Sequence, residues 1–413
     1  MENRFHHLLA KGCIKEVDMM ENVFFRPTWA EIDLDAIREN VQAIRRLLPD
    51  QTEIMAVVKA DGYGHGAYET AISALEAGAK MLAVALLEEG IVLRKKGIDV
   101  PILVLGYCPP EYAGVAESYQ ISLTVYQAGW LEKAVSFIKN RLPVHIKCDT
   151  GMGRIGIRDV EELDQLLGVL RETEKFEVEG IFTHFAKADS RDEAYYFYQL
   201  DRFRNFLKHL DRRPKWIHAS NSAGALLHRE GLFNLVRIGI AMYGLSPSED
   251  IKDLLPIPLR EAFSLHSRLV HVKQVEKGSK IGYGCTYEAK DDEWIGTVPI
   301  GYADGWLRRL QGHTVLIDGR RAPIVGRICM DQCMVRLPGP YPVGTPVTLI
   351  GKMGDDRISV DEIADRLGTI NYEVVCLIRD RVPRVYKKGG SPVKMVNSLL
   401  NDFQLFPSSG GKP

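Results

Sequence analysis

The sequence has no apolar run long enough to cross a bilayer. Its most apolar stretch, around Met81–Leu87, stops at Glu88 and Glu89, well short of the roughly 18 residues that a spanning helix needs. It has no excess of either charge. Lys and Arg number 53 against 54 Asp and Glu, a formal net charge of −1, and the two signs are interspersed, so there is no polybasic stripe for a nucleic-acid backbone or an anionic membrane. Cysteine is sparse and odd in number: Cys13, Cys108, Cys148, Cys285, Cys329, Cys333 and Cys376 form no C-x-x-C pair. That excludes a secreted disulfide framework, argues against a metal site and points to reduced thiols in the cytoplasm. No G-x-G-x-x-G follows the first strand-like run, which counts against a dinucleotide-binding sheet. A signal-peptide core is missing too, because Lys11, Lys15, Glu16 and Asp18 interrupt the first 20 residues.

What is present is an ordinary globular chain of 413 residues, 46% hydrophobic and 26% charged, long enough for two or three cores. From Asp33 a helix is expected, with Leu34, Ile37, Val41, Ile44 and Leu48 at spacings of three and four and Asp33 able to cap it. A pattern then repeats: a short apolar run, turn residues, a helical stretch. The runs are Ile54–Lys59, Met81–Leu86, Pro101–Gly106, Ser122–Tyr126, Val144–Asp149, Val178–Phe185, Trp216–Asn221 and Leu235–Ile240. Eight parallel strands covered by helices fit a closed (β/α)8 barrel, with an open eight-stranded sheet as the alternative. After Leu259 short β-branched segments between Gly, Pro and Asp turns take over: Leu265–Val275, Trp294–Ile300, Thr314–Ile317, Ala322–Val325, Met334–Leu337 and Thr345–Ile350. Only Val360–Leu367 reads as a helix there. The expected organisation is an N-terminal extension over 1–21, a barrel over 22–258, a mostly β domain over 259–390 and a tail over 391–413, disordered from Ser408.

Lys59, Asp149, His184, Asn221 and Arg237 fall at or near the C-terminal ends of different runs, and in a barrel those ends open on one face, where active sites are built. Lys59 is followed by Ala60-Asp61-Gly62-Tyr63-Gly64-His65-Gly66, whose glycines permit a sharp turn and a close approach to a ligand. Desolvation at the barrel mouth lowers a lysine pKa; bringing it from about 10.4 to 7 or 8 corresponds to roughly 4 kcal/mol, the tuning that imine formation or proton abstraction requires. Arg154 and Arg237 bring two permanent cations to the same rim, suited to a phosphate or carboxylate. Asn221-Ser222 follows a strand where a hydroxyl and the first N–H groups of a helix can hold a phosphate.

Val58-Lys59-Ala60-Asp61-Gly62-Tyr63-Gly64-His65-Gly66 resembles the pyridoxal-phosphate attachment motif of the alanine racemases. The likeness continues through Lys147–Arg154, Thr183-His184-Phe185, Asn221-Ser222-Ala223, Arg237-Ile238-Gly239 and Met242-Tyr243-Gly244, then through Tyr283-Gly284, Gly301–Gly305, Gly326–Asp331 and Ile370–Glu373. It spans about Phe25 to Tyr386. The resemblance implies a barrel followed by a β domain, a homodimer with shared sites, and interconversion of L- and D-alanine for peptidoglycan. It implies that Lys59 holds pyridoxal 5'-phosphate as a Schiff base and acts as one catalytic base, with Tyr283 from the partner subunit as the other. Arg237 would face the pyridine nitrogen, and Arg154 the phenolic oxygen and the substrate carboxylate, aided by the backbone of Met330 from the partner. Tyr63, Asn221, Ser222, Gly239, Ile240 and Tyr372 would cradle the phosphate, and His184 would sit between Tyr283 and Arg237. Lys147 matches a lysine that is carbamylated in several family members. Met330 and Tyr302 would leave room for little beyond a methyl side chain, although serine or lysine as substrate remains an alternative.

Overall fold

The structure is a computed structural model that describes residues 25–400. The expected extension over 1–21 and the tail from Ser408 lie outside the described residues. The helix after Asp33 runs over Leu34–Leu47, with Asp33 Oδ1 accepting from the Ala36 N–H at 3.0 Å and Ile37, Val41 and Ile44 buried. A short strand, β1 (Thr28–Asp33), precedes it.

The next eight strands are β2 (Glu53–Val57), β3 (Met81–Val84), β4 (Ile102–Val104), β5 (Ile121–Val125), β6 (Leu142–Lys147), β7 (Phe176–Phe182), β8 (Trp216–His218) and β9 (Leu235–Ile238). All pair in parallel, and β9 closes on β2 through Glu53↔Leu235 to Ala56↔Ile238. The barrel is therefore closed and the open-sheet alternative is excluded. Each strand ends before its apolar run does, because the last residues of the runs leave the ladder to form the loops at the C-terminal mouth.

The second sheet comprises β10 (Phe263–Arg268), β11 (His271–Val275), β14 (Glu293–Val298), β15 (Thr314–Ile317), β16 (Arg320–Val325), β17 (Cys333–Leu337), β18 (Pro346–Met353), β19 (Asp356–Ile358), β20 (Arg384–Lys388) and β21 (Ser391–Val396), while β12 (Lys280–Ile281) and β13 (Tyr287–Glu288) pair separately. Four expectations need correction. Leu265–Val275 is two strands, broken at Leu269-Val270 where the chain passes from pairing with β18 to pairing with β14. A second helix, Asn371–Leu377, follows Val360–Leu367; its seven residues are too few to show periodicity. Residues 391–396 are not tail but the strand β21, paired with β20. Finally, β1 lies inside the span assigned to the barrel yet belongs to the second sheet, between antiparallel β10 and parallel β20.

The two domains meet at the turn after Lys59. Arg384, buried in β20, donates to the carbonyls of Ile378, Arg379 and Val382 at 2.6–2.7 Å and to that of Gly64 at 3.3 Å. Gly64 has φ +80°, and a Cβ there would sit 2.3 Å from the Val375 carbonyl oxygen. Gly64→Ala should therefore lower stability by about 2–4 kcal/mol, combining the backbone penalty with overlap against a fixed carbonyl. Gly78→Ala is the control: φ is +110° but nothing lies within 4 Å of the added Cβ, so about 1–2 kcal/mol is expected. Denaturant midpoints of the two variants check the difference.

Candidate active site

The chain leaves β2 through Val58 and turns left-handed immediately after Lys59. Ala60, Asp61, Gly62, Tyr63 and Gly64 have φ of 53°, 50°, 61°, 53° and 80°. Three of these residues carry a Cβ, so the turn stores roughly 3–6 kcal/mol of strain. It is held by many bonds. The Gly62 N–H donates to Val58 O at 2.9 Å and the Gly66 N–H to Asp61 O at 2.8 Å. Ala60 N–H donates to Glu89 at 2.6 Å, and Ala67 N–H to Asp61 at 2.9 Å. Glu89 also accepts from the N–H groups of Ala85 and Leu86. The turn fixes Lys59 at the barrel mouth, half-buried. Burial, then the nearby Arg154, pushes its amine below the ordinary lysine range, partly opposed by Glu89 and the Cys376 thiol.

Arg237 in β9 is buried inside the barrel, not on the rim as expected. Its guanidinium donates to the carbonyls of Thr183 and Ala219, both at 2.8 Å, to His184 Nδ1 at 3.1 Å and to His218 Nδ1 at 2.9 Å. The Phe182 ring lies beneath it, centroid 5.4 Å away. No carboxylate lies within ion-pair distance among the described residues. Because a guanidinium can only donate, His184 Nδ1 is an acceptor and its hydrogen is on Nε2. Burial, followed by the positive charges of Arg237, Arg154, Lys147 and Lys59, pushes His184 far below its ordinary pKa, so the ring is neutral.

Lys147 ends β6, also buried. Its amine donates to Cys148 O at 2.6 Å and lies 5.6 Å from the centre of the Phe182 ring; burial lowers its pKa to about 8. Asp149 is turned into its own loop, accepting from the N–H groups of Gly151 and Gly153 at 3.1 and 3.0 Å. That loop carries Arg154, which is exposed.

Beside this cationic cluster is a small polar cradle. The Ser222 hydroxyl accepts from the N–H groups of Gly239 at 3.0 Å and Ala241 at 3.4 Å, leaving its own hydrogen to donate. Asn221 caps the short helix Ser222–Leu227, its side-chain oxygen accepting from Gly224 N–H at 3.0 Å, so that oxygen is committed to the fold. A Cβ on Gly239 would meet the Tyr63 hydroxyl at 2.7 Å, and the Tyr63 and Tyr372 rings lie 6.1 Å apart with Ile240 close behind in the chain. The buried Tyr63 phenol is pushed well above its ordinary pKa and stays a donor.

The structure thus brings Lys59, Tyr63, Lys147, Arg154, His184, Asn221, Ser222, Arg237, Gly239, Ile240 and Tyr372 to one end of the barrel. Tyr283 and Met330 are not with them. Both are exposed on the second domain, at 70% and 53%, and no contact joins either to the barrel residues among the described residues. The expectation that His184 sits between Tyr283 and Arg237 is met within this chain on the Arg237 side alone. Sequence reading missed Phe182, Glu89, His218 and Arg384. The first three stand inside or just after apolar runs, where a ring or a lone polar residue reads as core, and Arg384 reads as an ordinary surface cation.

Buried neutral histidines make the molecule acid-sensitive. Burial lowers His65 to about 4 from an ordinary 6.5, and His145, His184 and His218 are lowered too. The unfolded chain binds these protons first, so stability is full above about pH 6.5 and falls as pH drops towards 4, by roughly 3 kcal/mol for His65 alone. Denaturation curves across that window should show the fall, and His65→Phe should reduce the slope by about one proton.

Comparison with known proteins accounts for this arrangement. The family model for the alanine racemase N-terminal domain matches residues 32–247, and that for the C-terminal domain matches residues 262–386. An alanine racemase of Geobacillus stearothermophilus is 58% identical over 380 residues, covering 92% of this chain and 98% of the relative. Alanine racemase 1 of Bacillus subtilis is 51% identical over 383 residues, covering 92% and 98%. A crystal structure of alanine racemase from Bacillus anthracis with bound L-Ala-P superimposes with a TM-score of 0.90 at 50% identity, covering 91% of this chain and 99% of that one. Two domain models in tandem, and relatives matched along nearly their whole length, have one reading: the chain belongs to the alanine racemase family of isomerases.

Proposed function

We propose that this protein interconverts L- and D-alanine with pyridoxal 5'-phosphate as cofactor, working in the cytoplasm as a homodimer with shared sites, and so supplies D-alanine for peptidoglycan. The observation that carries the reading is the mouth of the barrel. Lys59, Lys147, Arg154 and Arg237 surround a neutral His184, a concentration of positive charge suited to an anionic ligand, beside a cradle where the Ser222 hydroxyl has a hydrogen to give. Those residues fit the cofactor. Lys59 would offer the amine that bonds it, Arg237 would face its ring nitrogen, and Tyr63, Ser222, Gly239, Ile240 and Tyr372 would hold its phosphate, while Asn221 sets the start of the helix. Bound there, the cofactor supplies an electron sink that acidifies the substrate Cα–H.

The remaining chemistry belongs to the chain. Racemisation removes a proton from one face and returns one to the other, so two bases must flank Cα. Lys59, with its lowered pKa, serves one face. Tyr283 of the partner subunit serves the other. A phenol of pKa about 10 gives up its proton at neutral pH at a cost of roughly 4 kcal/mol unless a neighbour stabilises the anion. His184 is set up for that: Arg237 fixes its Nδ1 as acceptor, so Nε2–H is the hydrogen offered to a phenolate. Arg154 binds the substrate carboxylate together with the backbone of Met330 of the partner subunit. With Tyr302, that segment restricts the side-chain space to about a methyl; excluding one methylene is worth about 1–3 kcal/mol, so slow turnover of serine is compatible with the site.

Lys147 is proposed as a carbamylation site. A buried amine with a pKa near 8 is partly neutral at physiological pH, and the neutral amine adds carbon dioxide with loss of a proton. The product anion would orient Arg154. The main test is direct. The purified protein should be yellow, lose its colour with borohydride and carry the label on the Lys59 peptide, and it should convert either alanine enantiomer into the racemate. A label on another lysine, or no conversion by cofactor-loaded protein, overturns the proposal.

A further inference from the structure

Arg237 is one end of a hydrogen-bonded series that continues into the barrel interior, away from the mouth. Its Nη1 lies 2.9 Å from His218 Nδ1. The guanidinium donates, so His218 carries its hydrogen on Nε2. That side of His218 lies 2.9 Å from His145 Nδ1, which must accept, and His145 in turn carries its hydrogen on Nε2. The next group is Glu179 in β7, with Oε2 3.8 Å from His145 Nε2. Ser122, near the start of β5, donates to the same carboxylate oxygen at 2.9 Å. The tautomer of each imidazole is therefore dictated from the Arg237 end, and the last Nε2–H, which has no hydrogen-bond partner, faces the Glu179 carboxylate at 3.8 Å.

The fold makes room for this series. Both histidines are fully buried. A Cβ on Gly180 would stand 2.2 Å from His145 Nδ1, so the glycine in β7 is what admits the ring. The β6–β7 register places Val178 opposite Val144 and Gly180 opposite His145, so the extra residue at this irregularity is Glu179 of β7 itself. His218 stacks on Phe182, centroids 4.6 Å apart and planes 6° from parallel, and that ring also lies under Arg237. Burial keeps both imidazoles neutral, and the contact with His145 holds the Glu179 carboxyl below its ordinary range. In a low-dielectric interior, bonds in series polarise one another.

We infer that Glu179 is a positioning residue for Arg237, acting through His145 and His218 to fix the direction and charge distribution of the guanidinium. The inference rests on the proposed role of Arg237 at the cofactor ring. Glu179 touches neither substrate nor cofactor; its charge favours the Nε2–H form of His145 and, through the bonds in series, strengthens the His218 lone pair that Arg237 meets.

The test uses Glu179→Gln, which keeps shape and the Ser122 bond but removes the charge. Nitrogen NMR of histidine-labelled protein, with and without cofactor, should show His145 and His218 each as a single Nε2–H form in the parent; in the variant His145 should become a tautomer mixture and the His218 Nδ1 shift, set by its bond from Arg237, should move. In the loaded enzyme kcat/KM should fall about 3- to 10-fold, and the effect should be non-additive with Arg237→Lys. If Glu179→Gln folds poorly, Ser122→Ala should give a smaller change of the same sign in both histidines. A change confined to His145, or additive kinetics, overturns the inference. The NMR reading on cofactor-free protein does not depend on racemisation, so failure of the proposed function is distinguishable from failure of this series.

Discussion

Subunits carrying Lys59→Ala and subunits carrying Tyr283→Phe, each inactive as homodimers, should regain racemisation when exchanged into mixed dimers. Under the proposed mechanism each substitution would remove one of two bases, so each homodimer should lose at least about 10³-fold in kcat. In a mixed dimer one site combines both defects and the other has neither. Random exchange of equal amounts then restores about a quarter of the parent activity. The reason lies in where the structure puts the tyrosine. Tyr283 follows β12 at 70% exposure, on the same domain as the exposed Met330 and the partly exposed Tyr302, while Lys59 lies at the barrel mouth. A phenol that must reach Cα cannot remain in solvent, and a second copy of the chain would bury it. No recovery despite demonstrated subunit exchange would place both bases in one chain.

Arg237→Glu should change what the enzyme makes as well as how fast. At neutral pH the guanidinium keeps its proton even though burial, followed by the charge of Arg154, lowers its pKa to about 9, so a cofactor ring nitrogen facing it would receive a hydrogen bond and no charge. With the cofactor bound, the electron sink would then be weak, which would favour simple return of the proton. A glutamate at this position meets the carbonyls of Thr183 and Ala219 and a ring nitrogen of His184, all now acceptors of Arg237 hydrogens. It would support a protonated ring and a longer-lived carbanion. Racemisation should drop by about 10²- to 10³-fold, with slow transamination appearing and a new long-wavelength absorption band growing on addition of alanine. An unchanged spectrum and product profile would sink this account.

The barrel was legible because its signal is local and repeated: each strand and its helix fall within a few dozen residues, and the turn after Lys59 announces itself through its glycines. The cations of the site were legible for a related reason, since a charge at the end of an apolar run is conspicuous. His145 and His218 were not, because a histidine within such a run is usually a satisfied core residue, and only the distances to Arg237 and Glu179 separate the two cases. The burial of Arg237 was missed in the same way: position near a strand end does not tell rim from interior. Strand β1 left no usable signal either. Its six residues alternate buried and half-buried, but nothing nearby in sequence pairs with them.

That strand has a consequence for how the molecule is made. Thr28 meets Ser267 across 239 positions, and Ala30 pairs with Arg384 near the other end of the described chain. On a ribosome β1 is the first of the described strands to emerge, yet one neighbour, β10, follows only after the whole barrel and the other, β20, only after most of the second domain. Contacts of such long range slow folding. A fragment beginning at residue 259 would leave β10 and β20 as open edges, inviting a strand from another molecule. The two regions that look separable along the sequence are therefore expected to reach the native state as one cooperative unit, with the last step the return of the chain to where it began.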